Sequence, residues 1–205
     1  MQKIVNGARK RAQRLPPEKR KKLLLGKAIA AFAKIGIGAT VHADVAREAE
    51  VSVPTVFIYF PTREELVSAV IAETERFLLQ LMDKAVAKKN TDTAKVLAIL
   101  NAFASAVDEH PDYVKLWMNW STIVAEPTWS KYILFQDRIL DEFKQLIDEG
   151  KAAGEFHANI DSTMGAHLLM GSGHMIAQMK FRHRDNEMIE NFIQSLTERA
   201  LFTTA

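Results

Sequence analysis

Residues Ala43–Phe60 read ADVAREAEVSVPTVFIYF, and this stretch decides the fold. Two short helical patterns lie back to back across a four-residue turn, Ala49-Glu50-Val51-Ser52. The first carries apolar groups at Ala43, Val45, Ala46 and Ala49, the second at Val53, Val56, Phe57 and Phe60. Spacings of three and four place each set on one helix face. Neither piece is long enough to persist alone in water, so each must pack on a longer helix. Ser52 stands where an N-cap is needed, and Pro54 falls in the first turn that follows, where proline is tolerated. Two short helices crossing through a tight turn form the helix-turn-helix plan, whose second helix enters the DNA major groove.

Charge supports that plan. Residues 1–60 carry 12 Lys and Arg against 4 Asp and Glu, and the remaining residues 15 against 21, so a +8 end joins a −6 body. A basic end on an acidic body points to an anionic partner for one part only. Nucleic acid fits, because neutralised phosphates release counterions; by charge alone an acidic membrane surface fits as well. There are no cysteines, which excludes a disulfide framework, thiolate catalysis and thiolate metal sites. The N-terminus is basic without an apolar run behind it, and no stretch reaches the ~18 apolar residues of a membrane span. The expectation is a cytoplasmic protein.

Outward from the central stretch the chain reads as helices throughout. Residues 1–22 are polar and basic, and Arg9 to Arg14 are either a solvated tail or an arm that enters a minor groove. Pro16-Pro17 starts a helix that runs to about Gly36 with Leu24, Leu25, Ala28, Ile29, Phe32 and Ala33 as its stripe. Leu25, Ile29, Phe32, Val45, Ala46, Val56 and Phe57 can then close a small three-helix core. Thr62-Arg63-Glu64-Glu65 has capping-box spacing and opens a long helix to about Lys89. Further helices are expected over 93–109, 113–124, 129–153, 161–182 and 186–202, with no alternating strand pattern. The fold class is all-α, with about nine helices: a three-helix helix-turn-helix head within 1–62 and a larger helical body over 63–205.

The run from Phe32 to Leu66 resembles the DNA-binding domain of TetR-family bacterial regulators. The matching pieces are Phe32 and Gly36, Asp44-Val45-Ala46, Val51-Ser52, Thr55-Val56, and Tyr59-Phe60-Pro61-Thr62-Arg63-Glu64-Glu65-Leu66. Finer matches, Gly36-Ile37-Gly38, His42-Ala43-Asp44, Val51-Ser52-Val53, Thr55-Val56-Phe57 and Tyr59 to Glu64, resemble the branch of quorum-sensing master regulators of vibrios (the HapR and SmcR type). Lys115, Trp117 and Trp120-Ser121 extend that likeness into the body.

The resemblance implies a homodimer on a pseudo-palindromic double-stranded operator, in a bacterial, nucleoid-associated cytoplasmic protein. It implies a body that dimerises and encloses a ligand-sized pocket. Contacts carry over onto Ser52, Thr55 and Tyr59, with Thr55 facing bases and Tyr59 a phosphate. The full DNA-facing set is Arg11, Arg14, His42, Ser52, Val53, Pro54, Thr55, Ile58, Tyr59 and Arg63. Arg14 matches one of the branch's minor-groove arginines, and Arg11 lies beside Ala12, where the other falls. The branch has a small residue where this chain has Pro54 and an asparagine where it has Ile58. Many relatives have glycine where this chain has Glu50.

For a small apolar ligand the branch likeness makes Trp117 a pocket wall, with Leu78, Leu81, Met82, Gln136, Met170 and Ser172 as further lining. Gln136 and Ser172 are the polar groups that would orient it. Against these stand plainer readings. Val53, Val56, Phe57 and Phe60 suit head core; Trp117, Met118 and Trp120 suit body core. Lys22, Arg47 and Arg63 suit phosphates or a solvated face. The small and apolar run from Met164 to Gly173 suits a dimer face, made with the last helix, or ordinary core.

His167 and His174 share a face two turns apart, over 10 Å at ~1.5 Å per residue, too far for one ion. No cofactor, metal site or catalytic constellation is expected, and not an enzyme. The chief alternative is a helical small-molecule carrier or enzyme with a basic tail. A peripheral anchor over Arg9–Lys22 is disfavoured, because the run has few large apolar residues before Leu23.

Overall fold

The computed structural model describes residues 16–124 and 128–200, the last two by backbone alone. Arg11 and Arg14, and the arm they belong to, lie outside the described residues. The described residues form nine α-helices and no strand. The head is built from α1 (Pro17–Ile35), α2 (His42–Glu48) and α3 (Val53–Tyr59). The body holds α4 (Arg63–Val86), α5 (Asp92–Glu109), α6 (Pro111–Trp120), α7 (Thr128–Ala152), α8 (Ser162–Phe181) and α9 (Asn186–Ala200).

Local chemistry sets these ends. Pro17 opens α1 in its first turn, and Gly36, at φ +98°, closes it with its N–H donating to Phe32 O. That backbone angle favours glycine. Thr62 Oγ1 accepts from Glu65 N at 3.1 Å and starts α4, and Thr91 does the same for α5 through Ala94 N. Asp161 caps α8 by accepting from Thr163 N and Met164 N.

The head core is Leu24, Ala28, Ile29 and Phe32 of α1 against Ile37, Val45, Ala46, Val56 and Phe60, with Leu66 of α4 closing it. This cluster is continuous with the body core through α4 and α6. Two expectations are corrected. Ala43 is exposed, and the inward face of α2 is His42, Val45 and Ala46 instead. Phe57 is 45% exposed and not core; its ring lies flat on the His42 imidazole, 4.0 Å away and 6° from parallel. The histidine fills the place under α3 that the phenylalanine was expected to take.

Candidate nucleic-acid interface and body cavity

The turn 49–52 swings α3 away from α2, with Glu50 at φ +53°, where glycine is ordinarily favoured. Ser52 occupies the N-cap position of α3, yet its side chain makes no bond to the helix backbone. Its Oγ pairs with Thr55 Oγ1 at 2.8 Å, so the cap is a hydroxyl pair and not the expected backbone bond. Beyond it α3 shows Pro54, Phe57 and Ile58 to solvent, Ile58 at 74% exposure, with Thr55 and Tyr59 half-buried. Val53 is half-buried against the core, which fits its packing role.

Two members of the DNA-facing set are placed elsewhere. His42 is buried at 6% exposure, and its Nε2 bonds Phe60 O at 2.7 Å, tying the start of α2 to the end of α3. A buried ring so engaged is a positioning group and not a base or phosphate contact. Arg63 turns its guanidinium inward: Nη2 donates to Ile37 O at 2.6 Å and Gly38 O at 2.8 Å, and Nε to Thr40 O at 3.2 Å. Three of its five donors are spent on main-chain carbonyls of the loop 37–40. The sequence reading missed this because an arginine in a basic region looks like a phosphate clamp.

The acidic groups of α2 are neutralised locally. Asp44 accepts from Val41 N at 3.0 Å and pairs with Arg47 at 3.1 Å. Lys34 donates to Glu48 at 2.9 Å and holds that carboxyl below its ordinary value. Lys19, Lys21 and Lys22 are exposed along the first turns of α1.

The body encloses an apolar cavity of about 60 Å³. Leu78, Leu81 and Met82 of α4, Ile99, Leu100 and Phe103 of α5 and Trp117 of α6 form one side. Phe135, Ile139 and Phe143 of α7 and Leu169, Met170 and Gly173 of α8 form the other. Leu78, Leu81, Met82, Trp117 and Met170 are thereby brought together as expected. Gln136 and Ser172 are not among the lining residues. The lining stripe of α7 runs at 135, 139 and 143, one residue off Gln136, and Ser172 Oγ donates to Leu169 O at 2.6 Å within its own helix.

Trp117, which lines this wall, carries a buried indole N–H without a hydrogen-bond partner among the described residues. His174 packs on the Trp117 ring at 4.0 Å, and its Nε2 meets Ser121 Oγ at 3.0 Å. Burial lowers the His174 pKa.

α6 also reaches the head. Asn119 Oδ1 accepts from Ile37 N at 3.1 Å, two residues along the helix from Trp117. No group of three His, Asp or Glu able to hold a metal occurs among the described residues. None of the described helices is long and apolar enough to cross a membrane.

Residues 24–70, which hold most of α1, all of α2 and α3 and the start of α4, match the profile of bacterial regulatory proteins of the tetR family. The TetR-family match thus falls on the head and the start of α4. The chain is 35% identical over 126 residues to the HTH-type transcriptional regulator LuxR of Vibrio harveyi, a match that covers 62% of each chain. The aligned region thus spans somewhat under two thirds of that relative's length.

Its fold is similar to that of the ketosteroid transcriptional regulator KstR2 of Mycobacterium tuberculosis. There the TM-score is 0.73 at 16% identity over 90% of this chain and 96% of that one. It is also similar to the transcriptional regulator FadR of Bacillus subtilis in complex with stearoyl-CoA. For that pair the TM-score is 0.70 at 14% identity, over 85% of this chain and 96% of the other.

Proposed function

We propose that this chain is a regulator of transcription of the TetR type, dimeric and sequence-specific in its DNA binding. Residues 1–62 serve as the DNA-binding head and 63–205 as the regulatory and dimerising body. The observation that carries the reading is the helix-turn-helix itself: α3 shows Pro54 and Ile58 to solvent, with Ser52, Thr55 and Tyr59 exposed or half-buried beside them. Phosphate contacts fall to the α1 lysines, and Arg11 and Arg14 serve the minor groove. LuxR of Vibrio harveyi is named an HTH-type transcriptional regulator, which favours the same role here; the quorum-sensing role rests on the branch likeness of the sequence.

Dimerisation falls to α8 and α9. Met164, Leu168 and Met175 are exposed on α8, at helical spacing along one stripe that includes Gly171. Met188 is exposed on α9. Leu168→Glu should convert the dimer to a monomer in sedimentation.

The cavity would take the end of a small apolar molecule that carries a hydrogen-bond acceptor for Trp117. FadR of Bacillus subtilis was solved with stearoyl-CoA, and an all-apolar lining of this kind suits a hydrocarbon chain. At about 60 Å³ the space is far below the ~300 Å³ of a site for a larger ligand, so its walls must part on entry. Met82 and Met170 are flexible enough to yield.

The test is binding to a random DNA pool at two salt concentrations, with the bound fraction sequenced. A palindromic motif whose affinity falls steeply with salt and is lost on Tyr59→Ala is the expected result. A pool without enrichment at either salt would overturn the reading in favour of a carrier.

A further inference from the structure

α3 reads Val53-Pro54-Thr55-Val56-Phe57-Ile58-Tyr59, with no Arg, Lys, Asn, Gln, Asp or Glu. Those are the side chains that pair with a purine edge through two hydrogen bonds or accept from cytosine N4. Ser52 and Thr55 spend one hydroxyl proton on each other. What the helix offers outward is apolar. Pro54 and Ile58 lie four residues apart and share a face, with Ile58 at 74% exposure. Phe57 flanks them, its ring fixed against buried His42. In the major groove the apolar group on a base edge is the thymine C5 methyl.

We infer that the Pro54–Ile58 ridge reads thymine methyl groups, so that the half-site is specified by methyl contact and not by bidentate hydrogen bonds. This rests on the DNA-binding reading above and names the chemistry by which that site selects its sequence. Ile58 is the central specificity-determining residue. Pro54 keeps the ridge rigid, because its ring fixes φ at the start of the helix. Each methyl contact is worth about fourfold in affinity, the equivalent of one buried methylene. Discrimination is therefore spread over several T·A pairs in each half-site.

The test uses the full chain and the operator recovered from the random pool. Duplexes in which deoxyuridine replaces one thymine at a time lose only the methyl group; their affinities are read by fluorescence anisotropy at fixed salt. The expected result is a loss of about fourfold at one or two positions per half-site. Ile58→Ala should bind thymine and deoxyuridine duplexes equally at one of them. At that position 5-methylcytosine paired with guanine should be bound better than cytosine, because it keeps the methyl in the same place.

Ile58 is too exposed for its truncation to unfold the head, and circular dichroism checks this. A pool without a motif overturns the DNA-binding reading and this inference together. A clear motif whose affinity ignores every deoxyuridine, or an Ile58→Ala variant that keeps the thymine preference, overturns this inference alone. So does an Ile58→Ala variant that changes only the oligomeric state, since the ridge would then meet a second copy of the chain.

Discussion

Asn119 on α6 accepts the main-chain N–H of Ile37 at 3.1 Å, across 82 residues of sequence. Its amide also lies against Gly36, whose added Cβ would meet Asn119 Oδ1 at 3.6 Å. The other side of the same loop is held by Arg63, and Thr40 Oγ1 donates to Gly36 O at 2.7 Å from within. The loop 36–40 is therefore clamped between the body helix that carries Trp117 and the first residue of α4. Removing the Asn119 acceptor leaves a part-buried N–H unpaired, at about 1–3 kcal/mol. Asn119→Ala should lower Tm by a few degrees for a chain of this size. It should also speed hydrogen exchange at the Ile37 amide by about tenfold or more. Unchanged exchange there would mean that the clamp is idle.

Arg63 gives a prediction that separates two roles for one charge. A phosphate contact contributes about 0.9 to the slope of log affinity against log salt. Arg63 is bound to three carbonyls, so Arg63→Ala should destabilise the head by about 2–3 kcal/mol while leaving that slope unchanged. Lys22→Ala, on exposed α1, should do the reverse: little change in Tm and a slope reduced by roughly one. Salt titration of the two variants checks both statements.

Glu50 sits at φ +53° in the turn between α2 and α3. A left-handed residue with a Cβ costs on the order of 1 kcal/mol, partly offset by the greater unfolded-state freedom of glycine. Glu50→Gly should raise Tm by about 1–3 °C. It should also strengthen DNA binding at low salt, since it removes an exposed negative charge from the turn before α3. A lower Tm would show that the turn draws more from the glutamate side chain than it loses to strain.

The helices were legible in the sequence because punctuation and period agreed. Pro17, Thr62, Thr91, Pro111 and Asp161 each stand at a start, and the stripes between them are apolar at three and four. What stayed hidden were polar residues with inward tasks. His42 completes the buried face of α2, although the branch likeness puts it in the DNA-facing set. Arg63 caps a loop, and nothing local distinguishes that from a phosphate clamp. The apolar members of the cavity come from the branch likeness; the apolar stripes alone make Trp117 core. The likeness failed at Gln136 and Ser172, where one residue of rotation moves a side chain off the wall. The partnerless Trp117 N–H depends on α8 packing across α6, and no sequence window contains both.

His174 supplies a pH dependence. Burial against Trp117 and Ser121 lowers its pKa below the ordinary value of 6.5, although a hydrogen bond to the Met170 backbone pulls the other way. The unfolded chain then binds the proton more readily than the folded one. Stability therefore rises with pH through the window at and just below 6.5, and is lost as the medium is acidified through it. His174→Gln should flatten that part of the Tm profile between about pH 5 and 7, while the wild type falls. A variant with the same slope as the wild type would assign the acid sensitivity to other groups.

Two glycines, one at the cavity and one packed on Phe156, give opposite expectations. A Cβ on Gly173 would meet Trp117 Cη2 at 3.6 Å and Phe103 at 3.8 Å, both ordinary contacts. Gly173→Ala should therefore fill part of the space without strain and add the helix preference of alanine, about 1 kcal/mol. The expected outcome is a Tm higher by about 2–4 °C together with weaker response to any apolar effector, because the cavity of about 60 Å³ cannot spare the room. A Cβ on Gly150, by contrast, would clash with the Phe156 ring, 2.4 Å from Cδ2 and Cε2, and that ring is itself buried at 1% exposure. Gly150→Ala should cost about 1–3 kcal/mol by overpacking, despite the same gain in helix preference. Thermal unfolding of the pair, with calorimetric titration of a medium-chain fatty acid into each, decides the matter. Equal shifts in Tm would mean that α7 and α8 pack differently from the arrangement seen here.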